Sequence, residues 1–224
     1  MVVGRAVARA VVAWAGATLL AGCFGNTTTE FPPGLEPLED NTAPRQQGGS
    51  PQEQLTMVEG RDSDPELDFI FVHGRGYVAA DPGLVWALTK DGEMLSSSCR
   101  IDSWTVTEDT VPEYEYSFTV RNFVDDIVNV EWDEEWRFGT ILGTPEAPAQ
   151  AMVRYQKVWG SEFIYRIEGS IQVLATDEAG VTELQFIEHL AALSGGASDM
   201  RQSMQRRFDS ILALAHGGTP PACP

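Results

Sequence analysis

Apolar and polar side chains alternate with a period of two in parts of residues 67–193, notably at residues 114–123 and 127–142. The clearest alternation runs from residue 127 to residue 142, where one face carries Val128, Val130, Trp132, Trp136 and Phe138. Such alternation is typical of an antiparallel strand with one buried face. The sequence therefore predicts seven strands, at residues 67–79, 103–107, 114–123, 127–142, 151–159, 163–175 and 181–193.

Helical patterns follow the first predicted strand and the last one. Asp81 can cap a short helix that begins at Pro82, and residues 93–97 are expected to add one more turn. After Ser198, apolar residues recur at spacings of three and four, which predicts a long C-terminal helix. Its apolar face carries Met200, Met204, Phe208, Ile211 and Ala215.

The element order predicts an α+β fold: one strand, two short helices, six strands and a long C-terminal helix. This order resembles the START-like (SRPBCC) helix-grip superfamily, in which a curved antiparallel sheet wraps around the C-terminal helix. Residues 76–88 also resemble the opening of that superfamily, where a strand leads into a helix through a small residue and a proline. An eight-stranded closed barrel of the lipocalin type is the alternative, which the two internal helices disfavour.

Residues 1–22 have the pattern of an export signal. Arg5 and Arg9 precede an apolar stretch at residues 10–20, which is shorter than the roughly 20 residues of a membrane span. The following Leu20-Ala21-Gly22-Cys23 resembles the lipobox of bacterial lipoproteins. The resemblance implies cleavage before Cys23 and attachment of diacylglycerol, with fatty acids such as palmitate. The alternative is an ordinary cleaved signal that happens to end at a cysteine.

Lipidation of Cys23 would place the protein on a membrane of the cell envelope. Two or three acyl chains hold a protein far more firmly than one, so this attachment would be permanent. Phe24 occupies the position where an aspartate often retains lipoproteins in the inner membrane. The resemblance therefore favours the outer membrane, with the protein facing the periplasm.

The remainder of the chain is expected to divide into three parts. Residues 23–66 are rich in proline and glycine with little apolar periodicity, which predicts a flexible tether behind the lipidated cysteine. Within it, residues 31–38 could instead dock on the domain or on a partner. The helix-grip domain is expected at residues 67–216, and residues 217–224 form a C-terminal tail.

The strongly acidic composition excludes one class of partner. The formal net charge is -18, and removal of Arg5 and Arg9 leaves 13 basic against 33 acidic side chains. Nucleic acid is excluded as a partner, because proteins bind its phosphates largely through lysine and arginine, and acidic side chains far outnumber them here. Anionic lipid head groups would also repel the chain, except where acyl chains hold it.

The resemblance to helix-grip domains implies an apolar cavity between the sheet and the long helix. Apolar or aromatic residues on the predicted inner faces are candidates to line it, together with two carboxylates among them. The candidates are Trp132, Glu134, Trp136, Phe138, Tyr155, Trp159, Tyr165, Phe186, Glu188, Met200, Met204 and Phe208. The alternative for each of these residues is a place in a solid core.

Glu134 and Glu188 interrupt apolar faces. A buried carboxylate needs a partner or has a raised pKa, and such groups often mark functional sites. Arg154 or an arginine of the long helix is the expected partner. The alternative is a bulge or sheet edge that places both carboxylates in solvent. On the opposite face, Glu131, Asp133 and Glu135 could hold a metal, but they fit a solvated strand surface better.

The sequence contains no catalytic signature. His73, His189 and His216 show no spacing typical of zinc sites, and no nucleophile elbow, phosphate-binding glycine loop or CxxC pair is present. We therefore expect no metal and no cofactor, and the sequence favours a non-catalytic function while leaving an enzyme open.

Cys99 and Cys223 are predicted to form a disulfide. If the last strand lies antiparallel beside the first, the long helix starts at the end of the sheet opposite the short helices. About 19 helical residues rise roughly 28 Å and return the chain to Cys99. The export compartment favours oxidation. The alternative is a buried thiol at Cys99 and a frayed tail.

Together these features favour a membrane-anchored envelope protein that binds a lipid or another hydrophobic small molecule. One alternative is an enzyme similar to the cyclases and aromatases of the superfamily, with Glu134 or Glu188 as general acid or base. Another is an envelope adaptor that recruits a protein of unknown identity through its acidic face and its tether.

Overall fold

The computed structural model describes residues 25–46, 51–96, 98–125 and 128–223. The signal segment and Cys23 lie outside these ranges. The strands are β1 (Asn26–Thr28), β2 (Leu55–Ser63), β3 (Asp68–Val78), β4 (Ser103–Asp109), β5 (Tyr116–Asp125), β6 (Asn129–Thr144), β7 (Ala147–Ser161), β8 (Ile164–Ala175) and β9 (Thr182–Ala192). The helices are α1 (Pro82–Leu88), α2 (Gly92–Ser96) and α3 (Ala197–Ala215).

The nine strands belong to one antiparallel sheet with the order β2-β3-β9-β8-β7-β6-β5-β4, and β1 pairs with the end of β7. The terminal strands β2 and β4 do not pair with each other, so the sheet is open and the closed-barrel alternative is wrong. The predicted α+β helix-grip architecture, an antiparallel sheet with two short helices and a long C-terminal helix, is confirmed.

Helix α3 packs against the inner face of the sheet, where two glycines of β3 let it approach closely. A Cβ atom at Gly76 would lie 2.5 Å from the ring of Phe208, and one at Gly74 would overlap the sulfur of Met204. The side chains of Met204 and Phe208, both from α3, are buried in the main hydrophobic core. The close approach leaves no free space beneath this half of the helix.

The short helices follow the predicted capping. The side chain of Asp81 accepts a hydrogen bond from the Gly83 N–H at 2.8 Å, and Pro82 is the first helical residue. The N-cap of α3 is Gly196, not Ser198 as predicted, so the helix begins two residues earlier. The Asp199 side chain accepts a hydrogen bond from the Gly196 N–H at 3.0 Å. No helix in the described ranges is long and apolar enough to cross a membrane.

All seven predicted strands are present, but the described residues form nine strands in total. Strands β1 and β2 lie within residues 23–66, which the sequence predicted to be a flexible tether. Strand β2 pairs with β3 along its whole length. It escaped prediction because it is an edge strand, with Leu55 and Met57 half-buried and a charged, exposed second half.

Residues 30–46, here called the outer strap, lie across the outer face of the sheet. Asn41 Nδ2 donates to the carbonyl oxygens of Gly74 and Phe186, both at 3.0 Å, and Ala43 is buried. Phe31 packs edge-on against Tyr114. The alternative that residues 31–38 dock on the domain is therefore correct. Polar contacts hold the outer strap, so it has no apolar periodicity by which the sequence could reveal it.

The predicted disulfide between Cys99 and Cys223 is confirmed. The two Cα atoms lie 5.4 Å apart, and the bond joins positions separated by 124 residues. The predicted route is also correct, because β9 pairs antiparallel with β3 and the 19-residue helix α3 then returns to the α2 end.

Candidate functional site

A cavity of about 380 Å³ opens at the end of the sheet where α3 begins. Its walls come from the segment after α2, the ends of β5 and β9, the β7–β8 turn, the starts of β6 and β8, and the first turns of α3. The apolar lining residues are Ile101, Val124, Val128, Val130, Trp132, Phe163, Ile164, Ile167, Leu190, Leu193 and Met200. Five charged side chains share the lining: Arg100, Glu134, Glu188, Asp199 and Arg207.

Four of the twelve predicted cavity residues line this space. They are Trp132, Glu134, Glu188 and Met200. All four are buried, with between 3 and 8% of their surface exposed. They come from β6, β9 and α3, as the alternation and the helical spacing predicted.

Six other candidates belong to the packed core instead of the cavity wall. These are Trp136, Phe138, Tyr155, Phe186, Met204 and Phe208. The rings of Trp136 and Tyr155 stack at 4.1 Å between centroids, and Phe118 stacks on the other side of Trp136 at 5.6 Å. Helix α3 approaches the sheet too closely here for a ligand, so the core alternative is correct for these residues.

Trp159 and Tyr165 do not reach the interior, contrary to prediction. Trp159 lies under the guanidinium of Arg121, 4.8 Å from its ring, and Tyr165 is 52% exposed. The pairing of β6 with β7 shifts register at Asp133/Glu134, and that of β8 with β9 shifts between Ile164 and Arg166. A bulge of one residue turns the following side chains to the other face, which simple alternation cannot anticipate.

Glu188 has a helix arginine as its partner, one of the two partners expected. Arg207 Nη1 donates to Glu188 Oε2 at 3.1 Å and to the Tyr155 hydroxyl at 3.0 Å, while its Nε donates to the Leu95 carbonyl oxygen at 2.9 Å. Burial lowers the pKa of Arg207, but Tyr155 and Glu188 outweigh this effect and raise the pKa. Arg207 thus lies within ion-pair distance of Glu188 in the interior. Arg154, the other expected partner, donates to the Glu36 carbonyl oxygen of the outer strap.

Glu134 is buried without a comparable cation. Trp132 Nε1 donates to Glu134 Oε1 at 2.7 Å, and burial raises the pKa of this carboxyl despite the opposing effects of that bond and of Arg207. The solvent-exposed alternative is wrong for both carboxylates.

The charges of the cavity can be balanced in pairs. Arg100 pairs with Asp199 at 2.8 Å near the opening, and Arg207 pairs with Glu188 inside. Among the described lining residues, Glu134 is the one charged group outside an ion pair. Any net charge in the cavity therefore depends on the protonation of Glu134.

The opposite face of β6 is polar, as predicted. Asp133 pairs with Arg121 at 2.7 Å, Glu135 pairs with Arg137 at 2.6 Å, and Glu131 is exposed. Two of these three carboxylates are thus engaged in ion pairs with arginines.

The structure brings together three residues that the sequence did not connect. His73 and His189 lie on the outer faces of the neighbouring strands β3 and β9, and both Nε2 atoms contact Glu39 Oε1, at 2.7 and 3.0 Å. The three potential metal-ligand atoms lie within 4.8 Å of one another. Neither histidine spacing nor composition could have found this cluster, because Glu39 reaches it through the outer strap.

The geometry of this cluster indicates that hydrogen bonds, and not a metal ion, connect the side chains. The Thr42 N–H donates to His73 Nδ1 at 3.0 Å, so the proton of a neutral His73 is on Nε2 and is donated to Glu39. A metal would need the lone pair of that Nε2 atom. On the far side, His189 Nδ1 lies 3.2 Å from Glu168 Oε1.

The pKa values of the two histidines shift in opposite directions. Burial, together with the nearby His189, lowers the pKa of His73 despite the opposing effect of Glu39. For His189, burial also lowers the pKa, but hydrogen bonds to Glu168 and Glu39 outweigh it, so the net pKa is raised. His189 therefore attaches the outer strap through a charge-assisted contact.

A second depression, of about 480 Å³, lies beside the turn between β2 and β3. It is lined by a mixture of polar side chains, such as Arg61 and Glu66, and apolar or aromatic ones, such as Tyr165. The ion pair of Asp64 with Arg166, at 2.6 Å, lies at the same turn. With no unpaired buried group in its described lining, it is a weaker candidate than the cavity beneath α3.

Comparisons with known proteins find similar backbones but no close relative. No protein-family model matches the chain, and no curated protein matches it. The human StarD13 lipid transfer and protein localization domain is similar with a TM-score of 0.49 and 11% identity, covering 73% of this chain and 87% of that one. The Zhui aromatase/cyclase from Streptomyces sp. R1128 has a TM-score of 0.45 and 14% identity, covering 73% and 94%.

A START superfamily protein from Mycobacterium smegmatis is also similar, with a TM-score of 0.41 and 12% identity, covering 65% of this chain and 93% of that one. These identities are too low to transfer a ligand or a reaction. Function is therefore inferred from the cavity and its residues.

Proposed function

We propose that this protein is a lipid-anchored envelope protein whose cavity binds an apolar small molecule carrying one polar group. The observation that carries the proposal is the pairing of apolar walls with Glu134, a buried carboxyl outside any described ion pair. The volume of about 380 Å³ falls within the range of small-molecule sites, about 300–1,000 Å³.

The charge balance of the cavity favours particular polar groups. A ligand ammonium and an ionised Glu134 would together be neutral, as would a ligand hydroxyl beside a protonated Glu134. A ligand carboxylate would leave a net negative charge in either protonation state, and an uncompensated buried charge is costly. We therefore expect amines and alcohols to bind better than fatty acids.

A matched series of eight-carbon ligands tests this function. Octylamine, octanol and octanoate differ only in the polar group, and calorimetry on the mature chain measures their affinities. We expect octylamine and octanol to bind at least about tenfold more tightly than octanoate, a difference of about 1.4 kcal/mol. No binding of any of the three would overturn the proposal.

The variant Glu134→Gln separates the cavity from the general acidity of the chain. It should weaken octylamine binding by about tenfold or more and leave octanol within about threefold, because only the ammonium loses a counter-charge. Glu131→Gln removes the same charge from the exposed face of the same strand and should change neither affinity. Equal effects of both variants would contradict the assigned role of Glu134.

The anchor at Cys23 has its own test. Expression in a bacterium fed an alkyne-bearing fatty acid should label the wild-type chain and place it in the membrane fraction. Cys23→Ser should abolish the label. A labelled inner-membrane fraction without an outer-membrane one would contradict the proposed location, and an unlabelled wild-type chain would contradict the anchor.

One observation supports a second candidate, an acid–base enzyme. Glu134 is buried with a raised pKa, the property required of a general acid near neutral pH. Mass spectrometry of molecules extracted from wild type and Glu134→Gln, expressed in the same host, distinguishes the two functions. A carrier should yield molecules of the same mass from both, whereas an enzyme should yield different ones.

A further inference from the structure

Strand β1, near the start of the described residues, lies at the end of the sheet where the cavity opens. It pairs with Trp159, Gly160 and Ser161, the last residues of β7. Just before it, the carbonyl oxygen of Gly25 accepts a hydrogen bond from the Glu162 N–H at 3.1 Å. The domain therefore begins at the turn between β7 and β8, without the long tether that the sequence suggested.

Only one residue separates Cys23 from Gly25. A residue spans at most about 3.6 Å of extended chain, so the Cα atoms of Cys23 and Gly25 lie within about 7 Å of each other. Covalent geometry alone sets this limit, whatever conformation the connecting residues adopt. An acyl group on Cys23 is therefore held close to the turn that contains Glu162.

That turn forms part of the cavity opening. Phe163, the neighbour of Glu162, lines the cavity, and its carbonyl oxygen accepts from the Leu193 N–H at 2.9 Å. Leu193 is 65% exposed, and Val128, across the opening, is 42% exposed. A rim with large exposed apolar side chains thus lies next to the attachment point.

We infer that the cavity opening faces the membrane, with Leu193 and Val128 against the lipid, so that the ligand is exchanged directly with the bilayer. This orientation rests on the lipidation of Cys23 proposed above. Burial of exposed apolar side chains in lipid favours it, because apolar surface is removed from water. The acidic composition opposes anionic head groups, so the preferred surface is zwitterionic.

Exposed apolar residues occur at both ends of the sheet, so they do not by themselves determine which end faces the membrane. Ile141 and Leu142 are 47% and 62% exposed near the β6–β7 turn, at the other end of the sheet. The 15 residues of β7 separate the two ends by roughly 50 Å at about 3.3 Å per residue. The short connection to Cys23 therefore decides which end meets the lipid.

Depth-dependent quenching tests the orientation. Leu193→Cys and Leu142→Cys, matched in residue type and exposure, each carry one environment-sensitive fluorophore, since Cys99 and Cys223 are already bonded. The lipidated chains are placed in phosphatidylcholine vesicles that contain brominated lipid. We expect several-fold stronger quenching at position 193 than at position 142. Equal quenching, or stronger quenching at 142, would overturn the inference.

Two further measurements separate this inference from the proposed anchor. Intact mass and co-sedimentation with the vesicles report lipidation itself, so a chain that does not sediment contradicts the anchor. A variant with about 20 Gly/Ser residues inserted between Phe24 and Gly25 gives the anchor roughly 25 Å of additional reach. Quenching at position 193 should then fall several-fold, and unchanged quenching would contradict the role of the short connection.

Discussion

Arg207 is the side chain on which the inner end of the cavity depends. It is 6% exposed and joins Glu188, Tyr155 and the Leu95 carbonyl oxygen. Arg207→Met should lower the free energy of unfolding by about 3–5 kcal/mol, because Glu188 would stay buried without its counter-charge. Urea denaturation at neutral pH measures the change.

Arg201→Gln is the matched control on the same helix. Its side chain is 52% exposed and pairs with Glu59 at 3.4 Å, and such surface pairs contribute about 0–1 kcal/mol. Similar losses in the two variants would show that the buried pair does not stabilise the fold in the way its geometry indicates.

His189 should make stability depend on pH. Its pKa is raised in the folded state, despite burial, by Glu168 and Glu39. The stabilising contribution is therefore complete below its ordinary value of 6.5 and is lost as the pH rises through the raised value. His189→Gln should lower the free energy of unfolding most at about pH 6 and progressively less towards pH 9.

The control for this pH series is Asn129→Ala, which removes an exposed side chain that does not titrate. Its effect on unfolding should stay the same across the series. If the loss caused by His189→Gln grew with rising pH, the charged contact between His189 and the two glutamates would be contradicted.

At the scale of elements, the outer strap should detach as a unit. Asn41→Ala removes two hydrogen bonds to main-chain carbonyl groups of β3 and β9. We expect a loss of about 1–3 kcal/mol, because the buried carbonyl groups lose their partner. Hydrogen exchange should show faster exchange in residues 36–46 and little change in β6.

Asn129→Ala, at an exposed asparagine at the start of β6, is the control. It should leave the exchange of the outer strap unchanged. Uniform acceleration throughout the sheet after Asn41→Ala would instead mean that the outer strap is inseparable from the fold.

The elements differ in how far the sequence reveals them. Strand β6 is evident because a long alternation of apolar and polar residues is typical of a strand with one buried face. Strand β2 and the outer strap are not evident, because an edge strand and a polar strap bury too little apolar surface to impose a period. Their positions follow from hydrogen-bond partners contributed by β3 and β9, which are distant in sequence.

At the scale of the whole molecule, the disulfide links the segment after α2 to the C-terminal tail beyond α3. The double variant Cys99→Ser/Cys223→Ser should lower the free energy of unfolding by roughly 4 to 5 kcal/mol in the chain-entropy model, because the bond closes a loop of 124 residues. Denaturation of wild type with reductant should match the variant without it. A wild-type midpoint that is insensitive to reductant would contradict the stabilising role.

The sequence by itself determined the helix-grip order, the seven main strands, the long helix and the pairing of Cys99 with Cys223. Periodicity encodes which face of an element is apolar, and chain order restricts which elements meet. Only the tertiary structure decided which inward residues line a cavity and which fill the core, since that depends on how closely α3 approaches Gly74 and Gly76. Single-residue bulges and the path of the outer strap likewise depend on neighbouring strands, so local pattern could not determine the positions of Trp159, Tyr165 or the Glu39–His73–His189 cluster.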